Sequence, residues 1–184
     1  MAHVSNGIRG SIGKELVFRE WGGKLIVSKR PRARPEKPKP AQAATQEKFR
    51  MASKYAKAIK DNADQSLAQA YDAARRPRQT MYSRALEDFM VSPVVQNINT
   101  QSYKGAVADK LVIRAVDDFR VKEVRVEIYT ANASLLETGN AVQNRNGIDW
   151  TYTTTQANNE LAGTRIKVVA IDVPDNEGVL EVTI

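Results

Sequence analysis

The segments Lys110-Leu-Val-Ile-Arg-Ala-Val116, Glu123-Val-Arg-Val-Glu-Ile128 and Arg165-Ile-Lys-Val-Val-Ala170 decide the fold of the C-terminal half of this chain. In each segment, apolar residues alternate with residues that are mostly charged. This period of two is typical of a strand with one face on a core and the other in water. The residues expected to face the core are Leu111, Ile113, Ala115, Val124, Val126, Ile128, Ile166, Val168 and Ala170.

Further β-rich runs with turn signals between them lie at Val94–Ile98, Leu135–Ala141, Trp150–Thr155 and Val179–Ile184. About seven short strands in a stretch of this length are typical of an immunoglobulin-like domain. We therefore predict a seven-stranded immunoglobulin-like β-sandwich over residues 92–184. Trp150 and Tyr152 are expected in its core or at its rim, and the alternative is that they stack on a carbohydrate.

Near the N terminus, the runs Glu15–Glu20 and Lys24–Lys29 flank Trp21-Gly22-Gly23. Gly-Gly between two such runs predicts a β-hairpin. Both faces of this hairpin are partly apolar, and an isolated hairpin is marginally stable in water. Residues 1–29 are therefore expected to form an arm that packs on its own chain or on a neighbouring one.

Residues 30–42 form a predicted linker that is basic and rich in proline, and residues 43–91 form a predicted helical region of about three helices. Asp61-Asn62 interrupts the helical pattern, Asp64 is the expected N-cap of the second helix, and Pro77 is expected in the first turn of the third. The expected apolar stripes are Phe49, Ala52, Ala56 and Ile59; Leu67, Ala70, Tyr71 and Ala74; and Met81, Tyr82, Ala85, Leu86 and Phe89. The predicted fold class is α+β.

Charge is distributed unevenly over the 184 residues, whose formal net charge is +7. Residues 1–91 have a net charge of +10 and residues 92–184 a net charge of −3. Such asymmetry suggests different roles for the two halves. The basic patch consists of Lys29, Arg30, Arg32, Arg34, Lys37 and Lys39. It is expected to bind nucleic acid or an acidic protein surface, or to keep the linker extended and solvated.

Two residue types that are common in catalytic sites, cysteine and histidine, are absent or nearly so. The chain has no cysteine, which excludes disulfides, thiolate metal sites and a cysteine nucleophile. Its one histidine, His3, lies close to the N terminus, and no serine-hydrolase, zinc-protease or phosphate-loop motif is present. We expect a protein that is not an enzyme and has no cofactor.

Acidic residues in two loops are candidate ligands for a calcium ion. Asp117 and Asp118 precede one predicted strand, and Asp172 and Asp175 precede the last one. The two loops lie at the same end of an immunoglobulin-like fold, and Ca²⁺ prefers oxygen ligands. The alternative is that these residues cap turns, as Asp commonly does.

No run approaches the roughly 18 apolar residues of a membrane helix, and Met1–Ser11 lacks an apolar signal-peptide core. The expected location is the cytoplasm, within a larger assembly.

The order of these elements is similar to that of an uncharacterised family of proteins from Bacteroidetes bacteria. The resemblance lies in Gly10-Ser-Ile-Gly13, Leu16–Lys24, Val27–Pro31, Gln46–Phe49, Tyr82–Phe89, Ser92-Pro93 and Asp117-Asp118-Phe119. It covers most of the chain and implies the layout. It implies no function and no functional residue.

The leading hypothesis is a structural protein that assembles into homo-oligomers, either rings or filaments. Leu16, Phe18, Trp21 and Ile26 of the arm would contact the neighbouring subunit, and the sandwich would be a spacer or display module. The charge difference between the halves favours head-to-tail contact. The alternative is a nucleic-acid-binding protein that uses the basic N-terminal half.

Overall fold

A computed structural model describes residues 10–13, 15–21, 23–30, 39–62 and 65–184. Within them the chain has three helices and eleven strands, and the strands form three antiparallel sheets. This confirms the α+β class. The chain divides into two compact units, Met1–Glu47 with Arg76–Arg78 and Lys48–Arg75 with Gln79–Ile184.

The first unit contains a three-stranded sheet, called the N-terminal sheet below, in the order β1–β2–β3. Its strands are β1 (Gly10–Ile12), β2 (Leu16–Trp21) and β3 (Lys24–Lys29). The predicted hairpin is confirmed as β2 and β3, and Gly23 in its turn has a φ of 75°, a left-handed conformation that favours glycine. The sequence pattern did not predict β1.

The helices are α1 (Pro40–Asn62), α2 (Gln65–Ala73) and α3 (Met81–Met90). Asp61 and Asn62, which were expected to interrupt the helical pattern, are the last two residues of α1. The helix begins slightly before the expected residue 43, and Asp64 lies outside the described residues. The prediction for Pro77 was wrong, because Pro77 lies in a turn and Thr80 is the N-cap of α3. Thr80 Oγ1 accepts from the Ser83 amide, and Ser83 Oγ accepts from the Thr80 amide. This reciprocal capping fixes the start of α3.

The helices of the second unit bury a small core of their own. Ala52, Ala56 and Ile59 of the α1 stripe are buried, although Phe49 is exposed. Ala56, Ile59, Tyr71 and Ala85 form the centre of the core. Phe119, which is outside the helices, packs on it and stacks on Tyr71 with ring centroids 4.3 Å apart.

The rest of the second unit contains two four-stranded sheets, in the orders β4–β5–β9–β8 and β11–β10–β6–β7. Their strands are β4 (Val94–Asn99), β5 (Lys110–Val116), β6 (Val121–Tyr129), β7 (Leu135–Asn140), β8 (Val142–Gln143), β9 (Asp149–Thr153), β10 (Arg165–Asp172) and β11 (Glu177–Thr183). All seven predicted runs contain a strand. The two-residue β8 is an addition to them.

Both sheets contribute to one hydrophobic core, so the arrangement is sandwich-like. Every residue expected to face the core is no more than 1% exposed. Trp150 and Tyr152, at 6% and 4% exposed, also belong to this core. Neither ring is therefore available to stack on a carbohydrate.

Candidate functional site

One face of the N-terminal sheet is mostly apolar and open to solvent. Residues directly opposite each other in antiparallel strands lie on the same face. Phe18 is opposite both Gly10 and Val27, and Leu16 is opposite both Ile12 and Lys29. Leu25 is opposite Glu20, so this face also has two charged residues. Because side chains alternate along a strand, these positions share one face. Its exposed apolar residues are Ile12, Leu16, Leu25 and Val27, at 64%, 39%, 50% and 51% exposure, and Phe18 is half-buried.

The arm residues named from the sequence therefore fall into two groups. Leu16 and Phe18 belong to the apolar face. Ile26 is opposite Arg19 and lies on the other face, where it is 43% exposed. Trp21 is opposite Lys24 at the end of the hairpin. Ile12, Leu25 and Val27 were not singled out, because only the strand register shows that they join Leu16 and Phe18.

The basic patch is only partly within the described residues. Lys29 ends β3, Arg30 follows it, and Lys39 precedes α1; all three are exposed. The Arg30 amide donates to the Glu15 carbonyl at 2.7 Å, which extends the hairpin pairing by one bond. Arg32, Arg34 and Lys37 lie outside the described residues, as does His3.

In the second unit, three carboxylates meet where α3 packs on the loop between β5 and β6. Asp88 lies on α3, and Asp117 and Asp118 lie in the loop. Each offers one carboxylate oxygen, and these three oxygens all lie within 4.8 Å of one another. Asp88 is fully buried, while the two loop residues are partly buried. This set is called the carboxylate cluster below.

Each carboxylate of the cluster is held through Oδ2. Tyr71 donates its hydroxyl to Asp88 Oδ2. The amides of Phe119 and Arg120 each donate to Asp117 Oδ2 at 3.0 Å. Arg84, which is 2% exposed, donates to Asp118 Oδ2 at 2.6 Å. The three side chains are thus held in place by Tyr71, by the loop backbone and by Arg84.

The Oδ1 atoms of Asp88, Asp117 and Asp118 are all buried and have no hydrogen-bond partner among the described residues. Leaving one such group unsatisfied costs about 1–3 kcal/mol, and more when it is charged. Burial raises the pKa of Asp88 to about 7, helped by the negative charges of Asp117, Asp118 and Asp172 and opposed by the Tyr71 hydrogen bond. The cluster is therefore electrostatically strained by its own charge.

The other two calcium candidates have different surroundings. Asp172 is buried and accepts from the Asn176 amide at 2.6 Å and from Asn176 Nδ2 at 2.7 Å. The Asp175 side chain is 71% exposed and pairs with Lys122 at 2.7 Å. The structure thus joins Asp117 and Asp118 to Asp88, and Asp175 has a separate partner. Sequence reasoning missed Asp88 because it is distant in sequence from Asp117 and Asp118. The signal that could have identified it is an acidic residue three positions after Ala85, within the apolar stripe of the third helix.

No helix among the described residues combines the length and apolar character needed to cross a membrane.

Comparison with protein-family models and with curated proteins finds no match. Among solved structures, the chain is similar to an engineered protein determined by crystallography, with 18% sequence identity and a TM-score of 0.32. The similarity covers 50% of this chain and 19% of the engineered one, so this chain spans about a fifth of that protein's length.

Proposed function

We propose that this chain is a non-enzymatic structural protein that self-associates through the apolar face of its N-terminal sheet. The main support is the exposure of four apolar residues on one face of the sheet: Ile12, Leu16, Leu25 and Val27. A contiguous exposed apolar face on a small sheet is typical of an interaction surface. Burial of such side chains is favourable by about 25 cal/mol per Å² of apolar surface.

A second copy of the chain is the partner that the charge distribution favours. Residues 1–91 have a net charge of +10 and residues 92–184 a net charge of −3. Opposite charges on the two halves favour contact of the basic N-terminal half of one copy with the acidic C-terminal half of the next. A head-to-tail contact of this kind forms a ring when it closes and a filament when it does not.

We also propose that the sandwich is immunoglobulin-like and is the spacer or display module of the assembly. The strand orders β4–β5–β9–β8 and β11–β10–β6–β7 support this. With the strands lettered in chain order as A, B, C, C′, D, E, F and G, the sheets read A-B-E-D and G-F-C-C′. The first order and the G-F-C part of the second are those of immunoglobulin domains.

The test compares variants of adjacent residues on opposite faces of β3. Leu25→Thr with Val27→Thr changes the apolar face, whereas Ile26→Thr changes the other face of the same strand. We expect the double variant to weaken self-association at least tenfold, because it removes about 1 kcal/mol of burial for each side chain. Ile26→Thr should have a much smaller effect.

Light scattering coupled to size-exclusion chromatography over a range of concentrations gives the association constant. A wild-type chain that stays monomeric at every concentration would refute the proposal. Equal weakening by the variants of both faces would refute the role of this particular face.

The second candidate is nucleic-acid binding, which the exposure of Lys29, Arg30 and Lys39 favours. The affinity should then fall steeply with salt, because bound phosphates release counterions. Lys29→Gln with Arg30→Gln should weaken binding of every sequence, whereas Arg145→Gln in the C-terminal half should not. A salt-independent affinity, measured by fluorescence anisotropy with labelled DNA and RNA, would exclude this candidate.

A further inference from the structure

We propose that Asp88, Asp117 and Asp118 bind one Ca²⁺ ion between α3 and the β5–β6 loop. The ion would connect the helices to the sandwich within the second unit. This site is independent of the self-association proposed above, because none of its residues belongs to the N-terminal sheet.

The spacing of the ligands fits one ion. Each residue offers a carboxylate oxygen, and the three oxygens lie within 4.8 Å of one another. Two oxygens bound to the same Ca²⁺ at about 2.4 Å are at most ~4.8 Å apart. The carboxylates therefore need no large movement to share an ion of this size.

The carboxylates are also oriented for binding. Tyr71, Arg84 and the backbone of the β5–β6 loop hold the three Oδ2 atoms, and the three Oδ1 atoms remain buried and without a partner among the described residues. Outer donors of this kind orient metal ligands. Since Asp88 is 0% exposed, water is a poor substitute partner for its Oδ1. A cation bound among the three carboxylates would give such a buried oxygen a partner.

Charge favours a divalent ion over a proton. Arg84 pairs with Asp118, and among the described residues neither Asp88 nor Asp117 has an ion-pair partner, so two negative charges are left unpaired. Asp172 adds to the negative potential, since its charge acts on Asp88. Protonation of Asp88 would neutralise one charge and satisfy one oxygen, whereas a divalent cation neutralises both excess charges.

A surface cavity borders one residue of the cluster, Asp117. This cavity of about 390 Å³ is lined by Asp117 together with Val116, Phe119, Arg120, Gln143 and Ile148. Ca²⁺ takes six to eight oxygens, so water on the Asp117 side, where this cavity lies, would supply the ligands that the three carboxylates do not. The all-oxygen ligand set favours Ca²⁺ or Mg²⁺ over zinc. Mg²⁺ requires a tighter set, with oxygens at most ~4.2 Å apart.

Calcium binding is tested by titrating the full-length chain, after removal of metal with a chelator, in a calorimeter. We expect one Ca²⁺ per chain and a thermal unfolding midpoint that rises by roughly 5–10 °C at a hundred times the dissociation constant. Asp117→Asn should weaken binding at least tenfold. Its amide oxygen still accepts from the loop amides, so the loop fold is retained while the charge is lost.

Asp175→Asn is the matched control, because Asp175 is an acidic loop residue that pairs with Lys122. It should leave the affinity within about twofold of the wild type, since its charge is exposed and screened. Circular dichroism of both variants checks that they are folded. Binding that is unaffected by Asp117→Asn, or weakened as strongly by Asp175→Asn, would overturn the assignment.

A measurement on the wild-type chain avoids any dependence on variants. Tb³⁺ replaces Ca²⁺ in oxygen sites and emits when a nearby aromatic ring is excited. Tyr71 is bonded directly to the cluster and should sensitise this emission, which Ca²⁺ should then quench by competition. Absence of sensitised emission, or equal competition by Mg²⁺ and Ca²⁺, would refute a calcium site.

Discussion

Arg84 Nη1 lies 2.6 Å from Asp118 Oδ2, and this ion pair joins α3 to the β5–β6 loop across 34 positions of the sequence. Arg84 Nη2 also donates to the Asp118 carbonyl, and Glu87 Oε2 lies 3.6 Å from Nη1. The Arg84 side chain is 3% exposed and that of Asp118 is 18% exposed. The pair is therefore a buried connection between helix and sandwich.

Arg84→Ala should destabilise the chain by about 3 kcal/mol, because loss of one partner leaves the other charge buried and uncompensated. Urea denaturation followed by circular dichroism measures the change. Arg75→Ala is the control: the Arg75–Asp72 pair has side chains 43% and 54% exposed, and its loss should cost less than about 1 kcal/mol. Equal losses from the two substitutions would show that the Arg84 pair contributes no more than a surface pair.

The two tyrosine hydroxyls beside Asp88 should contribute unequally. The Tyr71 hydroxyl donates its one proton to Asp88 Oδ2. The Tyr55 hydroxyl, 2.9 Å from that of Tyr71, must therefore be the donor in the bond between the two tyrosines. Tyr71→Phe removes the bond to the carboxylate as well as the acceptor of Tyr55, and should cost at least about 2 kcal/mol. Tyr55→Phe removes only the bond between the two hydroxyls and should cost about 1 kcal/mol. Denaturation of both variants at neutral pH tests this order. A larger loss for Tyr55→Phe would contradict the inferred direction of donation.

Tyr152 should make the chain less stable at high pH. Burial and the neighbouring Glu137 raise the pKa of Tyr152 to about 12 from its usual 10.0. Because the pKa of Tyr152 is higher in the folded than in the unfolded state, its contribution to the free energy of unfolding is complete below pH ~10. That contribution is lost as the pH rises to ~12. The loss amounts to about 2 kcal/mol.

Tyr152→Phe cannot ionise, so its stability should fall less between pH 10 and pH 12 than that of the wild type. Glu137 Oε2 keeps its bonds from the Thr155 amide and hydroxyl, both at 2.8 Å, in this variant. Denaturation curves at a series of alkaline pH values give the comparison, and parallel curves would contradict it.

Gly178 should not tolerate a side chain. A Cβ at this position would lie 1.8 Å from the Pro93 carbonyl oxygen, which belongs to backbone and cannot rotate away. Gly178→Ala should therefore cost about 3 kcal/mol, at the upper end of overpacking effects. The adjacent Val179→Ala should cost much less, because Val179 is 54% exposed. Thermal unfolding of the two variants checks the difference.

The sandwich was largely predictable because the pattern that specifies it is local. Leu111, Ile113 and Ala115 show their inward face through alternation alone, and the structure buries all of them. Strands β1 and β8 were missed because three and two residues are too few to show a period. The start of α3 was misplaced because Ser83, rather than the more common Glu or Gln, completes the capping box with Thr80.

Two of the three residues of the carboxylate cluster were predictable from the sequence. Asp117 and Asp118 are adjacent in sequence and were expected to act together. Asp88 joins them only through tertiary packing of α3, which no local pattern encodes. In the same way, strand register, and not composition, places Ile12 and Val27 on one face with Leu16 and separates Ile26 from them.

Asn176 links the end of α3 to the last hairpin of the second unit. Its Nδ2 lies 3.2 Å from the carbonyl oxygens of Phe89 and Val91, at the C-terminal end of α3, where helix carbonyls lack partners within the helix. On the ribosome α3 is synthesised well before Asn176, so the end of the helix stays hydrated until the β10–β11 turn exists. The contacts of α3 with the β5–β6 loop can form before the last hairpin is made, whereas the bonds at the end of α3 can form only after it.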